Sequence, residues 1–445
     1  MNLLQDNVRK LYFKYFGAAF GSAMVSSIYG LVDTAVVGQS LGPNGTAALA
    51  VVAPLWNLIY SLGLLTGIGG SVLLSMAKGK KNAGDRKANA YFTSAVIGSL
   101  VLAVLAWGMV YFLETPLLQL FGADDTLLAL ARRYLIPVKV VFPLFLLNQM
   151  LAAFLRNDND PGLATAAVIG GGVFNMFGDI WFVFGLNMGI VGAGLATAIG
   201  AVISFGVMLV HFVKKTNTLR LVPVYHFWTM LQKITVTGFS TFFIDVAMGI
   251  LTMLFNTQIM KYLGSDALAV YGPIVNISTM VQCCAYATGQ AAQPILSTNY
   301  GAGKPERIVE TLKYALYTSA VFAIFWTALS LIDPDLYLYV FMKPTEQILE
   351  IGPAIIRTYA LSFLLLPLNV FSTYYFQALM QPQTAFIVSV FRGMLISGAL
   401  ILVLPIIAGP DSIWLAMPIT ELIIGIYVIS KMYTSTRSIS ALKQA

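Results

Sequence analysis

"TAALAVVAPLWN" at residues 46–57 returns as "SDALAVYGPIVN" at 265–276, at a constant offset of 219 that aligns Ala48 with Ala267, Leu49 with Leu268, Ala50 with Ala269, Val51 with Val270, Pro54 with Pro273 and Asn57 with Asn276. Farther along, "LLSMAKG" at 73–79 resembles "ILSTNYG" at 295–301, now offset by 222. Apolar segments match easily by chance, but a Pro, an Asn and a helix-ending Gly held in register mark an internal repeat. The chain reads as two copies of one unit.

Composition says what that unit is. The 445 residues are 58% hydrophobic and only 10% charged, where a soluble globular domain carries about 25% charged residues. Mean hydropathy is +0.80. Apolar stretches of about 20 residues recur, each able to cross a hydrocarbon core of roughly 30 Å. Twelve spans are expected near 14–38, 50–77, 90–112, 133–155, 163–185, 190–212, 234–260, 269–298, 312–332, 352–378, 384–408 and 412–432. The fold class is therefore an all-α polytopic membrane protein of two pseudo-symmetric six-helix lobes. Six spans per copy is an even number, so both copies insert the same way round, as the parallel repeats of secondary transporters do. The lobes are expected at 1–212 and 234–445, joined by a connector at 213–233. Pro54, Pro143, Pro273, Pro367 and Pro405 are the expected sites of bending.

Basic residues orient the chain. Arg9, Lys10 and Lys14 precede span 1, and Lys78, Lys80, Lys81, Arg86 and Lys87 lie between spans 2 and 3. Arg156, Lys214, Lys215, Arg220, Lys233, Lys304, Arg307, Lys313, Lys431, Arg437 and Lys443 mark the later even-numbered connections and the tail, so 19 of 26 basic residues fall on one side. The other side carries Glu114, Asp124, Asp125, Asp266, Asp333, Asp335, Glu346, Glu350 and Asp411. Both termini are expected in the cytoplasm, with the protein in the inner membrane. Arg132, Arg133, Lys139 and Lys343 run against the trend. Part of the net charge of +7 reports topology, so it argues weakly for an anionic partner and hardly at all for nucleic acid.

Several function classes fall away. Cys283 and Cys284 are adjacent inside a span and cannot frame a secreted disulfide fold. The first apolar segment is a full span rather than a cleavable signal. "GAGKPE" at 301–306 lacks phosphate-loop spacing and has Pro305 where a magnesium-binding hydroxyl would stand. No His or Cys pair has metal-ligand spacing, and His211 and His226 fall at or beyond a span end. Two facing aspartates would suit an intramembrane protease, but that enzyme does not explain twelve spans in parallel halves. An ion gradient remains as the energy source.

Charges inside spans are costly and therefore functional by default. They are Asp33, Asp179, Asp245, Glu421 and Arg392. Asp33 lies roughly 7.5 Å inside the outer end of span 1 and Asp179 roughly 9 Å inside that of span 5, at 1.5 Å per residue. The two share a depth in one lobe. Asn175 precedes Asp179 by one turn on the same helix face. Such carboxylates can take up and release a proton, or with Asn175 and a hydroxyl such as Thr197 they can hold Na⁺. Asp245 and Glu421 lie near mid-depth in the second lobe and could attract a cationic substrate or a second proton. A pairing of Glu421 with Arg392 would instead neutralise both. Gln149, Tyr271, Asn276, Gln282, Tyr286, Gln290, Asn369, Tyr374 and Gln377 are candidates to line a wet cavity. Met24, Met150, Met176, Met248, Met253 and Met280 suit ordinary packing or an adaptable soft surface.

"SSIYGLVDTAVVG" in span 1, "ALAVVAPLWNLIYSLGLLTGIGGSVLLSMAKG" through span 2, "FNMFGDIWFVFGLNMGIVGAGLATAIG" across spans 5 and 6, and "GQAAQPILSTNYGAGKPERI" at the end of span 8 together resemble the multidrug and toxic compound extrusion transporters over nearly the whole chain. The resemblance implies an inner-membrane exporter that exchanges H⁺ or Na⁺ for large, often cationic and aromatic drugs. It needs no other cofactor, and it is expected to act as a monomer on small organic molecules amid membrane lipid. In the prokaryotic branch named for a DNA-damage-inducible member, Asp33, Asp179, Asn175 and Thr197 match the N-lobe cation site. Asp245, in "GFSTFFIDV" at 238–246, matches a coupling acid of the other bacterial branch, whose second acid on span 8 or 10 has no counterpart here. A lipid-linked oligosaccharide flippase would place more basic residues in its cavity than Arg392. A general facilitator would show GxxxDxxGR-like chemistry that "GKKNAGDRK" at 79–87 does not keep. A channel or receptor would not need depth-matched carboxylates.

Overall fold

A computed structural model describes residues 2–80, 85–341 and 344–441. Lys81, Lys343 and Lys443, used above to read charge, lie outside the described residues. Among the described residues twelve helices are long and apolar enough to cross a membrane: α1 (Val8–Leu41), α2 (Asn44–Gly79), α3 (Asp85–Phe112), α4 (Asp125–Asn157), α5 (Pro161–Gly185), α6 (Ile190–Val213), α7 (Phe227–Tyr262), α8 (Ser265–Gly301), α9 (Pro305–Ile332), α10 (Glu346–Ala378), α11 (Pro382–Ile407) and α12 (Pro410–Ser438).

The start of α4 departs most from the sequence expectation. The carboxylate of Asp124 accepts the Leu127 N–H at 2.8 Å, an N-cap that satisfies an otherwise orphaned donor and starts the helix about two turns before residue 133. Arg132 and Lys139 thus fall inside α4. Lys139 Nζ lies 2.9 Å from Glu114 and Arg132 Nε 4.0 Å from it, so these two exceptions to the charge trend are neutralised locally. Glu114 itself opens a short helix, Glu114–Leu120, and Pro334–Phe341 forms another where only polar connections were expected.

Proline does different work in different spans. Pro54, Pro143, Pro273 and Pro405 lie within unbroken helix. In α10 the helix stops, makes a 3-10 turn at Leu361–Leu364, and restarts with Pro367 in its first turn, the position where a missing N–H costs nothing. Wide π turns interrupt α5 at Trp181–Gly185 and α11 at Phe391–Leu395, a local widening often found at functional sites.

The chain forms two compact units, residues 1–6 with 17–242 and residues 7–16 with 243–445. In lipid, helices gain no hydrophobic drive from meeting one another, so close van der Waals approach at small residues holds them together. The first unit shows this at α5 and α6. A Cβ on Gly171 would meet the Gly200 carbonyl oxygen at 2.5 Å and Ser204 Oγ at 2.1 Å, so only hydrogen fits. On the other side of α6, a Cβ on Gly194 would meet the carbonyl oxygen of Tyr134 at 2.2 Å. Asn148 of α4 then donates to the Ala201 carbonyl at 3.0 Å. Helices α4, α5 and α6 are thereby fixed against one another. In the second unit an aromatic core including Phe255, Tyr271, Tyr359 and Trp414 is buried, and Phe255 and Tyr271 have ring centroids 5.0 Å apart.

Candidate functional site

The α4–α5–α6 packing in the first unit sets polar side chains from four helices side by side. Asn175 Nδ2 donates to Thr197 Oγ1 at 3.1 Å, and the Thr197 hydroxyl in turn donates to the Ala193 carbonyl one turn back, at 3.0 Å. Tyr134 lies 3.4 Å from Thr197 and donates to Asp33 Oδ2 at 3.5 Å. Asp179 is completely buried, one turn beyond Asn175 on the same face of α5. Asp33, Asn175, Asp179 and Thr197 therefore cluster, and Tyr134 joins them.

The hydrogen-bond accounting of this cluster is incomplete. Asp33 Oδ1, Asn175 Oδ1 and both carboxylate oxygens of Asp179 are buried without a hydrogen bond. A buried acceptor left unpaired costs on the order of 1–3 kcal/mol, so four in one place mark a site that other species complete. All four are oxygen acceptors, joined by one hydroxyl. That set suits a proton or a hard cation held by oxygen ligands, and not a soft metal. Tyr134 went unnoticed in the sequence because tyrosine in a span is ordinary and the residue stood at the assumed end of span 4.

The second unit holds two separate polar groups. Asp245 accepts from the Tyr286 hydroxyl, which in turn accepts from Gln282 Nε2. Glu421 is fully buried. Its Oε1 takes the Nε–H of Arg392 at 2.8 Å and its Oε2 takes Asn369 Nδ2 at 2.7 Å. Asn369 also donates to the Glu421 backbone carbonyl at 2.9 Å. The pairing of Glu421 with Arg392 thus exists, and both oxygens of the acid are engaged. Arg392, Gln282 and Tyr271 border a narrow cleft of about 50 Å³. Of the remaining lining candidates, Tyr374 and Gln377 are completely buried, Gln149 and Gln290 half-buried and Asn276 exposed.

At the end of α6, both ring nitrogens of the buried His211 face carboxylates. Nε2 is 2.8 Å from Asp158 and Nδ1 3.0 Å from Asp160. Asp158 also meets Lys78 Nζ at 2.6 Å and accepts from the Thr218 backbone N–H at 2.9 Å and from its hydroxyl. Burial would raise Asp158, but the His211 hydrogen bond, the Lys78 charge and Thr218 outweigh it and hold the acid at about 2. Asp160 is likewise lowered, against its burial, by Lys214 and His211. The segment after α6 is tied down further by Asn89, whose Oδ1 accepts from Arg220 N at 2.9 Å, and by Thr93, which accepts from Val222 N at 3.0 Å. Sequence spacing gave no sign of this network.

The MatE family pattern matches residues 18–181 and, a second time, residues 239–402. A protein named multidrug export protein MepA from Staphylococcus saprophyticus is 25% identical over 301 residues, covering 67% of this chain and 66% of the relative. A protein of the same name from Staphylococcus aureus is 23% identical over 394 residues, covering 88% and 86%. Among solved structures, one described as the outward-facing conformation of a multidrug resistance MATE family transporter of the MOP superfamily superposes with a TM-score of 0.87 at 21% identity, covering 100% of this chain and 98% of the other. A MOP superfamily transporter from Pyrococcus furiosus, described as having a binding pocket of reverse polarity that suggests a different function, gives 0.88 at 20% identity and 98% of both chains. These structures share the fold.

Proposed function

The chain belongs to the MatE family, and from that premise we propose that it is a secondary antiporter that exports organic, cationic or aromatic molecules in exchange for H⁺ or Na⁺ by alternating access. The observation that carries the reading is the group of four unpaired buried oxygens on Asp33, Asn175 and Asp179 beside Thr197. On this reading external H⁺ or Na⁺ occupies the group and favours release of the organic molecule, and the ion then leaves on the cytoplasmic side, where a new molecule binds. Coupling of this kind requires that the ion-loaded and ion-free forms differ in affinity for the substrate.

The donor set supports assignment to the prokaryotic DNA-damage-inducible-type branch, with the ion site in the first half. The halves 1–212 and 234–445, linked by 213–233, are the lobes that move in this scheme, in an inner membrane with both termini cytoplasmic. Asp245 is a second candidate coupling acid, though its Tyr286 hydrogen bond gives it a partner that Asp179 lacks.

The deciding experiment is dye efflux from proteoliposomes under an imposed pH or Na⁺ gradient, one at a time, for the unmodified protein and for Asp33→Asn, Asp179→Asn and Asp245→Asn. One gradient is expected to drive efflux, and the first two substitutions to abolish it. Loss with Asp245→Asn alone would move coupling to the second half, and full activity in all three would refute the assignment.

A further inference from the structure

The second half carries a buried ion pair that its architecture does not demand. Helices α5 and α11 both open with a proline, Pro161 and Pro382. Counted from those prolines, Arg392 stands where the first half has Gly171. The Asn369 bond to the Glu421 carbonyl repeats the Asn148 bond to the Ala201 carbonyl, so Glu421 stands where the first half has Ala201. The first half thus makes the same helix crossing without charge. A buried salt bridge is weak evidence for stability, because desolvating both charges offsets most of their attraction.

Hydrogen bonding around the pair is unbalanced in the opposite sense to that of the Asp33 group. Glu421 is satisfied on both oxygens. Arg392 is 8% exposed and gives the acid only its Nε–H. Its two Nη groups make no hydrogen bond among the described residues and are not sealed from open space. The open space that Arg392 borders is the narrow cleft of about 50 Å³. Ser278 lines the same cleft and is also 8% exposed, and its Oγ is buried without a partner. Among the described residues no carboxylate lines the cleft, and Arg392 is the one charged group that does. Hydroxyls of Tyr271 and Tyr359 and the amide of Gln282 complete the polar wall.

A surplus of donors is what water balances poorly, since each water donates as readily as it accepts, whereas an anion only accepts. The volume excludes an organic acid and admits a body near the size of one water, whose share of the liquid is about 30 Å³. A guanidinium is weakly hydrated, so exchanging its water for a monovalent anion costs less than it would at a lysine. Asn369 holds Glu421, and Glu421 holds the guanidinium by its Nε, so the outer N–H groups are fixed in place. Arg392 also lies in the π turn of α11, a distortion common at functional sites.

We propose that this cleft binds a chloride ion, or another halide of similar size, through the Nη groups of Arg392 and the hydroxyl of Ser278. The site takes one monatomic anion and leaves the Arg392–Glu421 pair intact behind it.

The test is thermal unfolding of the purified full-length protein in detergent, with sodium chloride replaced stepwise by sodium gluconate at constant sodium. Chloride is expected to raise the melting temperature saturably by about 2–4 °C. Bromide should act as chloride does, and sulfate, too large for the cleft, should give no saturable rise. Ser278→Ala is expected to raise the chloride concentration at half the effect by at least about tenfold, as loss of one hydrogen bond to a charged group does. Arg392→Gln/Glu421→Gln keeps a neutral hydrogen-bonded pair and should abolish the effect. If that variant does not fold, Arg392→Lys decides, because it retains the charge opposite Glu421 but loses the forked donors, and should raise the midpoint at least about threefold. Absence of a saturable rise in the unmodified protein means that the cleft holds water and overturns the proposal. An unchanged midpoint in Ser278→Ala or in the Arg392 variant means that chloride acts elsewhere and overturns it equally. No gradient enters this assay, so its outcome is independent of the efflux experiment.

Discussion

The hydroxyl of Tyr134 donates to Asp33 Oδ2 at 3.5 Å and lies 3.4 Å from Thr197. One phenol on α4 thereby links the α1 acid to the α6 hydroxyl that Asn175 of α5 also reaches.

Tyr134→Phe removes that link and little else. That bond is donated to the carboxylate and favours its ion-free form by about 0.5–1.5 kcal/mol net, so if H⁺ is the driving ion its concentration for half-maximal efflux should fall about two- to tenfold. Melting temperature should stay close to that of the unmodified protein. An unchanged ion dependence would remove Tyr134 from the site.

Gly171→Ala should destabilise the first unit by about 1–3 kcal/mol, the usual cost of overpacking, because its Cβ would press on the Gly200 carbonyl and Ser204. Gly162→Ala in the same helix is the control, since a Cβ there meets nothing within 4 Å. Thermal unfolding in detergent should separate the two. Equal melting would mean that the α5–α6 approach is slack.

Asp158 gives a pH dependence of defined sign. Its folded value of about 2 lies below the unfolded value of about 3.9, so its contribution of about 2–3 kcal/mol is fully present well above pH 4 and is lost as pH falls through the folded value. Asp158→Asn should lower stability at neutral pH and flatten the loss between about pH 4 and 2. A variant that loses stability with the unmodified protein's slope in that window would show that Asp158 is not the group responsible.

Glu421→Gln leaves the Arg392 charge buried without its counterion and should cost about 3–5 kcal/mol. Arg392→Met/Glu421→Leu removes both charges and should melt near the unmodified protein. If the single variant melts no lower than the double, the pair is solvated and the buried geometry is wrong.

Span number, repeat and the Asp33, Asp179 and Asn175 group were legible because each stands out in one dimension: a charge or an amide in an apolar run, or a motif copied at fixed offset; Thr197, an ordinary hydroxyl, was singled out by the family resemblance. The α4 start was less so. Arg132, Arg133 and Lys139 look like a span end, and only the capping Asp124 shows that the helix begins earlier. Tyr134 was hidden by that same misplacement. The His211 network was illegible for another reason. Asp158, Asp160, His211 and Thr218 are separated by up to 60 residues, and nothing in local pattern says which turn meets which helix end. Glu421 and Arg392 were seen as charges, but that Asn369 locks the acid and leaves the Nη groups unbonded is a fact of packing alone.

Asn148 and Asn369 each tie the fourth helix of their half to a carbonyl of the sixth, with no ionisable side chain required for the bond. In a gene that arose by doubling, that tether is what both copies must inherit, because losing it loosens the helix trio on which any site is built. The positions it supports are released from that obligation. One copy was then at liberty to carry aspartates and the other an arginine with its glutamate, so a single ancestral scaffold offers two chemistries that selection can alter one at a time.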